Sequence, residues 1–246
     1  AMAGTAFQAT ATAADLIRSE GGNSRSTAWG CEFKTTISQA GLLNGISAHS
    51  PDYDDITLVP MCHQNVVLIP TILTVAEATG ATGIEAIAAL AIAYEVESKI
   101  GLAVMPEHMA AGWHPPITLG MFGAATAASR LLGLTVDQAR AALGIAGAQT
   151  SGIRKNLGSM TKGFHVGHAV RSGIHAAQLA LLNFSANQDI LDSNPGTGHD
   201  HFSFQETFNP GVDRLPEVIG SLGEPWELSL ANIAVKRPPG ATSPGA

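Results

Sequence analysis

Between His49 and His63 the sequence sets two imidazoles among three carboxylates: His49, Asp52, Asp54, Asp55 and His63. Imidazoles and carboxylates held near one another push their pKa values apart, as proton transfer to and from a substrate requires. The same residues suit a solvated acidic loop with Asp52 capping a turn, so spacing alone leaves both readings open. A second candidate is Gly112-Trp113-His114-Pro115. Its glycine lets a ligand approach the backbone, the indole offers a flat wall and the proline stiffens the histidine's position. A lone histidine is more often a buried, hydrogen-bonded structural residue. Third comes Gly158-Ser159-Met160-Thr161-Lys162, a small-residue loop that delivers a cation to the start of a helix. Helix starts attract anions, and a nearby ammonium strengthens the attraction. The segment lacks the glycine frame and Lys-Ser/Thr order of a nucleotide-binding P-loop. No Gly-x-Ser-x-Gly elbow points to a serine hydrolase.

Metal chemistry has weaker support. His165, His168 and His175 are spaced along one expected helix and His199-Asp200-His201 follows in a loop, but no Cys or Glu completes either ligand set. Cys31 and Cys62 are far apart and outside any C-x-x-C, which argues against a disulfide framework and against a zinc knuckle. No metal and no cofactor are expected, and the natural compartment is a reducing cytoplasm.

Charge narrows the partners. A net charge of -7 disfavours nucleic acid, whose phosphates need a basic surface. The charge is uneven, however. No acidic residue falls between Asp137 and Asp189, a window that holds Arg140, Arg154, Lys155, Lys162 and Arg171. That local field suits a small anion, and suits equally a solvated basic face.

The elements that must position these groups read as helices. Helical stretches are expected at 36–47, 66–79, 83–103, 117–132, 135–150 and 161–183. Thr135 with Gln138 forms a capping box, and Pro70 is tolerable only near a first turn or as a kink. Ile84, Ile87, Leu90, Ala91 and Tyr94 recur at helical spacing, and the first half of that helix is apolar nearly all round, so it is expected to be central. Gly120, Gly123, Ala124 and Ala127 form a small-residue stripe that admits a close neighbour. The first 35 residues are mixed, with a turn at Gly21-Gly22-Asn23-Ser24. Strands are few and no βα alternation appears, which gives an all-α class. The longest apolar run, Ile84 to Tyr94, is too short to span a bilayer, which takes roughly 20 residues. No membrane association and no secretory signal are expected.

Taken in order, these pieces resemble the MmgE/PrpD family, which includes 2-methylcitrate dehydratases, cis-aconitate decarboxylases and an iminodisuccinate epimerase. The matching motifs start at Asn44-Gly45 and His49-Ser50-Pro51-Asp52-Tyr53-Asp54-Asp55, then His63 with Val67-Leu68-Ile69-Pro70. They continue through Glu95-Val96, Lys99-Ile100-Gly101, Gly112-Trp113-His114-Pro115, Leu119-Gly120, Phe122-Gly123-Ala124-Ala125 and Gly158-Ser159-Met160-Thr161-Lys162. The resemblance implies a helical bundle domain over 1–235, with 236–246 a linker or the start of a missing α+β lid domain. It implies a metal-free lyase, a dehydratase or decarboxylase of a small di- or tricarboxylate, commonly homodimeric. Asp52, His63, His114 and Lys162 then occupy catalytic positions: Lys162 binds carboxylate, His63 and His114 form the acid/base pair, and Asp52 orients or tunes one of them. His49, Asp55, Trp113, Arg154 and Lys155 are the substrate-binding candidates.

The chain also departs from the pattern. Ile56 stands where the decarboxylases carry a hydroxyl residue, Gln64-Asn65 replaces Pro-Ser, and Ser243 stands where a histidine is expected. The alternatives are therefore an epimerase or isomerase of a dicarboxylate such as iminodisuccinate, and a truncated or degenerate homologue that does not catalyse.

Overall fold

The computed structural model describes residues 1–57, 61–192 and 202–229, with the backbone of 233–235. His199, His201, Ser243 and the expected linker 236–246 lie outside the described residues. The class is all-α. In chain order the helices are α1 (Gln8–Glu20), α2 (Ile37–His49), α3 (Asn65–Thr79), α4 (Gly83–Val104), α5 (Glu107–Ala110) and α6 (Pro115–Thr118). They continue with α7 (Gly120–Leu132), α8 (Val136–Gly147), α9 (Thr161–Leu181), α10 (Phe204–Phe208) and α11 (Leu215–Ile219). Two antiparallel ribbons accompany them, β1 (Ser26–Ala28) with β2 (Phe33–Thr35), and β3 (Asp55–Thr57) with β4 (Ile233–Val235).

The centre is α2 and α9; α7 packs on α9, α3 packs on α2, α7 and α9, and α4 packs on α7 and α3. Small residues make this packing close. A Cβ on Gly45 would lie 2.7 Å from the Gly167 Cα, and one on Gly167 would lie 2.3 Å from the Leu42 carbonyl oxygen. Gly173 of α9 meets α7 in the same way, 2.4 Å from the Ala124 Cβ. The stripe on α7 thus does admit close neighbours. Val67, Met121, Val170 and Ile174 fill the core between these helices, and each such buried side chain contributes about 1.5–3 kcal/mol by leaving water.

Local signals fix the helix starts. The capping box at Thr135 and Gln138 forms, a second one joins Thr82 to Glu85, and Thr36 caps α2 by accepting from the Gln39 amide. The helix expected over 117–132 is instead two, divided at Leu119, with Pro115 opening the first. Pro70 sits inside α3, beyond its first turn.

The mixed first 35 residues hold helix α1, which buries Thr10, Ala14 and Ile17 at i, i+4 and i+7, followed by the β1–β2 ribbon. One reading fails. In α4 the central half is the second, since Ile84 and Ile87 are 81% and 68% exposed whereas Tyr94, Glu97 and Ser98 are buried. Apolar character did not decide this; pairing did. Lys99 reaches Glu227 at 2.7 Å and Glu95 at 3.6 Å, Gln64 donates to Ser98 at 2.7 Å, and the Cys62 thiol donates to Glu97 at 3.3 Å. Buried polar groups persist when they are hydrogen-bonded in this way.

Candidate functional site

Helix α2 delivers His49 from its last turn, and the chain then reverses through Asp52, whose φ of 52° is the left-handed conformation that Asp tolerates better than most residues. Strand β3 follows, and the return at Cys62 is held by the Thr57 amide on the Cys62 carbonyl at 2.9 Å. This loop surrounds one carboxylate with two imidazoles. Asp54 Oδ2 lies 2.5 Å from His49 Nδ1, and Asp54 Oδ1 lies 2.8 Å from His63 Nδ1. The His63 Nδ1–H donates to the Asp55 carbonyl, also at 2.8 Å, with Asp54 Oδ1 as a second, less well-aligned neighbour.

These partners set the tautomers. A carbonyl or carboxylate accepts only, so Nδ1 carries the proton in both rings and Nε2 carries the lone pair. Burial alone would raise the Asp54 carboxyl, but the bonds from His49 and His63 outweigh it and hold it well below the usual carboxylate range. His49 is lowered, chiefly by burial and against the pull of Asp54.

His114 arrives from a different direction. Its loop is pinned by the bridge of Trp113 to Ile153 and by the His114 amide on the Gly152 carbonyl at 3.0 Å, and Pro115 starts α6 behind it. His114 Nδ1 stands 3.0 Å from Nδ1 of His165 on α9. One proton serves that pair, so one ring donates and the other accepts. Burial, then the nearby His165, His49 and Lys162, push His114 down to about 2, so at neutral pH its ring is uncharged. His63, His49, His114 and His165 form a row with ring centroids 5.2, 6.3 and 5.2 Å apart.

Lys162, in the first turn of α9, is hydrogen-bonded and ion-paired to Asp52. Both border a cavity of about 470 Å³, together with His49, Ser50, Ser159 and Gly163. Its size is ordinary for a small-molecule site. His49 Nε2 is buried with no hydrogen-bond partner. His49, Asp52 and Asp54 also offer ligand atoms within 4.8 Å of one another, the spacing of a metal site. Here the carboxylates face cations and imidazoles instead, Asp52 facing Lys162 and Asp54 facing His49 and His63.

The structure therefore brings together Asp52, His63, His114, Lys162 and His49. Of these, His49, Asp52 and Lys162 border the cavity, and His63 and His114 stand beside His49; the other candidates are set apart. Asp55 is partly buried and accepts from Asn65 Nδ2 at 2.9 Å, with burial raising its pKa. Trp113 packs edge-on against Phe208, Arg154 holds the Met109 carbonyl at 3.0 Å, and Lys155 is exposed. Of the basic window, Arg140 pairs with Asp189 and Arg171 with His168, leaving Lys162 as its contribution to the site.

Sequence reasoning gives no site role to two residues. Asp54, named there only within the acidic cluster, bridges the imidazoles, and His165 figures there only as a metal-ligand candidate. The signal for His165 was present: it follows Lys162 by three residues on one helix, which puts both on one face.

Known proteins resemble this chain over most of its length. A family model described as the MmgE/PrpD N-terminal domain matches residues 1–209. Human cis-aconitate decarboxylase is 32% identical over 223 residues, covering 88% of this chain and 44% of the relative. The mouse cis-aconitate decarboxylase is 30% identical over 220 residues, 87% of this chain and 43% of its own length. The protein of the same name from Aspergillus terreus is 28% identical over 206 residues, 79% and 41% respectively. The chain thus spans less than half the length of these relatives.

Proposed function

The chain belongs to the MmgE/PrpD family, and on that premise we propose that it contributes the acid/base half of a lyase acting on a di- or tricarboxylate, with cis-aconitate the first candidate. One observation carries the reading: Lys162, Asp52 and His49 border a single small cavity, and His49 belongs to a row of four imidazoles with His63, His114 and His165. Lys162 exchanges Asp52 for a substrate carboxylate and balances charge that develops beside it. His63 and His114 move the proton. In a decarboxylation the carbon–carbon bond to the leaving carboxylate breaks and releases carbon dioxide. The electron pair stays on the substrate, spreads toward the remaining carboxylates, and is quenched by a proton from a histidine ring, which regains one from solvent. In a dehydration the same imidazoles remove a carbon-bound proton and protonate the departing hydroxyl. His165 fixes the tautomer of His114 through their shared Nδ1 proton. The chemistry proposed needs neither metal nor cofactor.

The test is product analysis by proton NMR after incubation with cis-aconitate, citrate, methylcitrate and iminodisuccinate. Turnover of one of them that falls by about 10²–10⁴ in His114→Ala, and by about 10²–10³ in Lys162→Ala, is the expected result. Deuterium entering recovered substrate from heavy water, without loss of water or carbon dioxide, would favour the epimerase reading. Consumption of none of the four would overturn the proposal.

A further inference from the structure

A second cavity, of about 270 Å³, is lined by Arg171, Ser172 and His175 of α9, Ser38 of α2 and Gln149 from the segment after α8. None of these residues borders the cavity that holds Lys162. Along α9, Arg171 lies nine residues beyond Lys162 and His175 thirteen, about 14 and 20 Å at 1.5 Å per residue. The proposed lyase chemistry therefore leaves this cluster without a role.

Its donors suit an oxyanion. Arg171 Nη2 donates to His168 Nδ1 at 3.1 Å, and burial holds His168 down at about 4, so this acceptor is neutral and orients the guanidinium without cancelling its charge. No ion pair involves Arg171 among the described residues, and no acidic residue falls between Asp137 and Asp189. A guanidinium carries five N–H groups, so Arg171 has others for a ligand. Ser172 is 2% exposed, lines the cavity and makes no side-chain hydrogen bond among the described residues, so its hydroxyl gains by donating to an occupant. The Gln149 amide uses one of its two N–H groups on the Ile145 carbonyl at 3.1 Å. His175, exposed and one turn beyond Arg171, adds an imidazole. Ser38 donates to Gln178 at 3.0 Å and serves as a wall on the α2 side.

We propose that this cavity binds a phosphate group, whose oxygens accept from the Arg171 guanidinium, the Ser172 hydroxyl and the Gln149 amide, with His175 beside them. A carboxylate has two oxygens in one plane, which a guanidinium fork satisfies by itself. The oxygens of a tetrahedral phosphate point in several directions, so it gains from donors on α9 and beyond α8 together. The inference stands apart from the polycarboxylate reading, since the two cavities share no residue.

Proton NMR of the histidine rings reads the site directly, with the His175 signal assigned by its loss in His175→Gln. Titration of the 246-residue chain with inorganic phosphate, at constant pH and ionic strength, is expected to move that signal along a saturating curve. Arg171→Gln should weaken phosphate at least about tenfold, as loss of a charged hydrogen bond does, while its amide can still donate to His168. Ser172→Ala should weaken it several-fold, and Lys162→Ala should leave it within about twofold of wild type. Acetate should bind at least about tenfold more weakly than phosphate. Tighter binding of methyl phosphate than of inorganic phosphate would show that the site serves a phosphate ester, and the reverse that it serves the free ion; both support it. A His175 signal that does not move in wild type, or phosphate affinity within about twofold of wild type in Arg171→Gln, would overturn the site and leave the lyase reading untouched. Acetate bound as tightly as phosphate would overturn it too.

Discussion

Asp54 and Glu97 are two carboxyl groups buried within the same part of the molecule, and their surroundings send them in opposite directions. Asp54 lies between two imidazoles that bond its charged form, and is held below the usual range. Glu97, on α4, is fully buried beside the Cys62 thiol, with Gly123 of α7 packed over it. Burial, which Cys62 opposes only in part and the nearby Asp55 reinforces, pushes it up to about 8, so Glu97 keeps its proton at neutral pH. A thiol is a weak donor and cannot compensate a buried charge as an imidazole does. Burial is common to both; the strength of the donors decides which carboxyl ionises. The ionised one belongs to the row of imidazoles. The neutral one belongs to the support, where Tyr94, Glu97 and Ser98 of α4 brace Thr57, Cys62 and Gln64 on either side of His63.

The sharpest way to break this contrast is Asp54→Ala, which strips the acceptor from His49 Nδ1. It should cost about 3–5 kcal/mol in urea unfolding at pH 7, as removal of one member of a buried pair does. Glu97→Gln comes next. A carboxyl whose folded pKa is raised from 4.5 to about 8 contributes its full stability below 4.5 and loses it as pH rises toward 8. Replacement by the neutral amide should therefore remove a decline on the order of 3 kcal/mol between pH 5 and 8, read from Tm or urea midpoints in that range. The histidines work with the opposite sign. His108 and His168, each lowered from 6.5 to about 4 chiefly by burial, stabilise the fold above 6.5 and cease to do so as pH falls to about 4. Each should contribute a slope of about 1.4 kcal/mol per pH unit in that window, visible as a steep acid limb in wild type and Glu97→Gln alike. Gly123→Ala puts a methyl 2.1 Å from Glu97 Oε2 and 2.9 Å from Leu68 Cδ2, and should cost about 1–3 kcal/mol by crowding. The smallest change is Tyr94→Phe, which removes the hydroxyl that lies 2.7 Å from Thr57 Oγ1; a loss of about 0.5–1.5 kcal/mol is expected by equilibrium unfolding.

Much of this was readable from residue order. The helices carrying the site, α2 and α9, and the capping box of α8 follow from periodicity and short-range chemistry, which act within one or two turns. The contact of His114 with His165 could not be read that way, since 51 residues separate them and only the packing of α6 on α9 joins them. Helix α1 escaped notice because its buried face is Thr10, Ala14 and Ile17, of which only isoleucine is strongly apolar. The exposed start of α4 misled for the converse reason. Ile84 and Ile87 look like core, while Glu97 and Lys99, which are core, look like surface until their partners from elsewhere in the chain are known.

The closeness of α2 and α9 at Gly45 and Gly167 has a consequence for the site they carry. His49 lies one turn beyond Gly45, and Lys162 and His165 lie within about a turn and a half before Gly167, so the two groups of side chains hang from one backbone crossing. Hard contact between main chains makes that crossing a fulcrum. A methyl group added at either glycine would act as a wedge, and the displacement would grow along each helix toward the cavity, so a residue that touches no substrate gauges the gap in which the substrate has to fit.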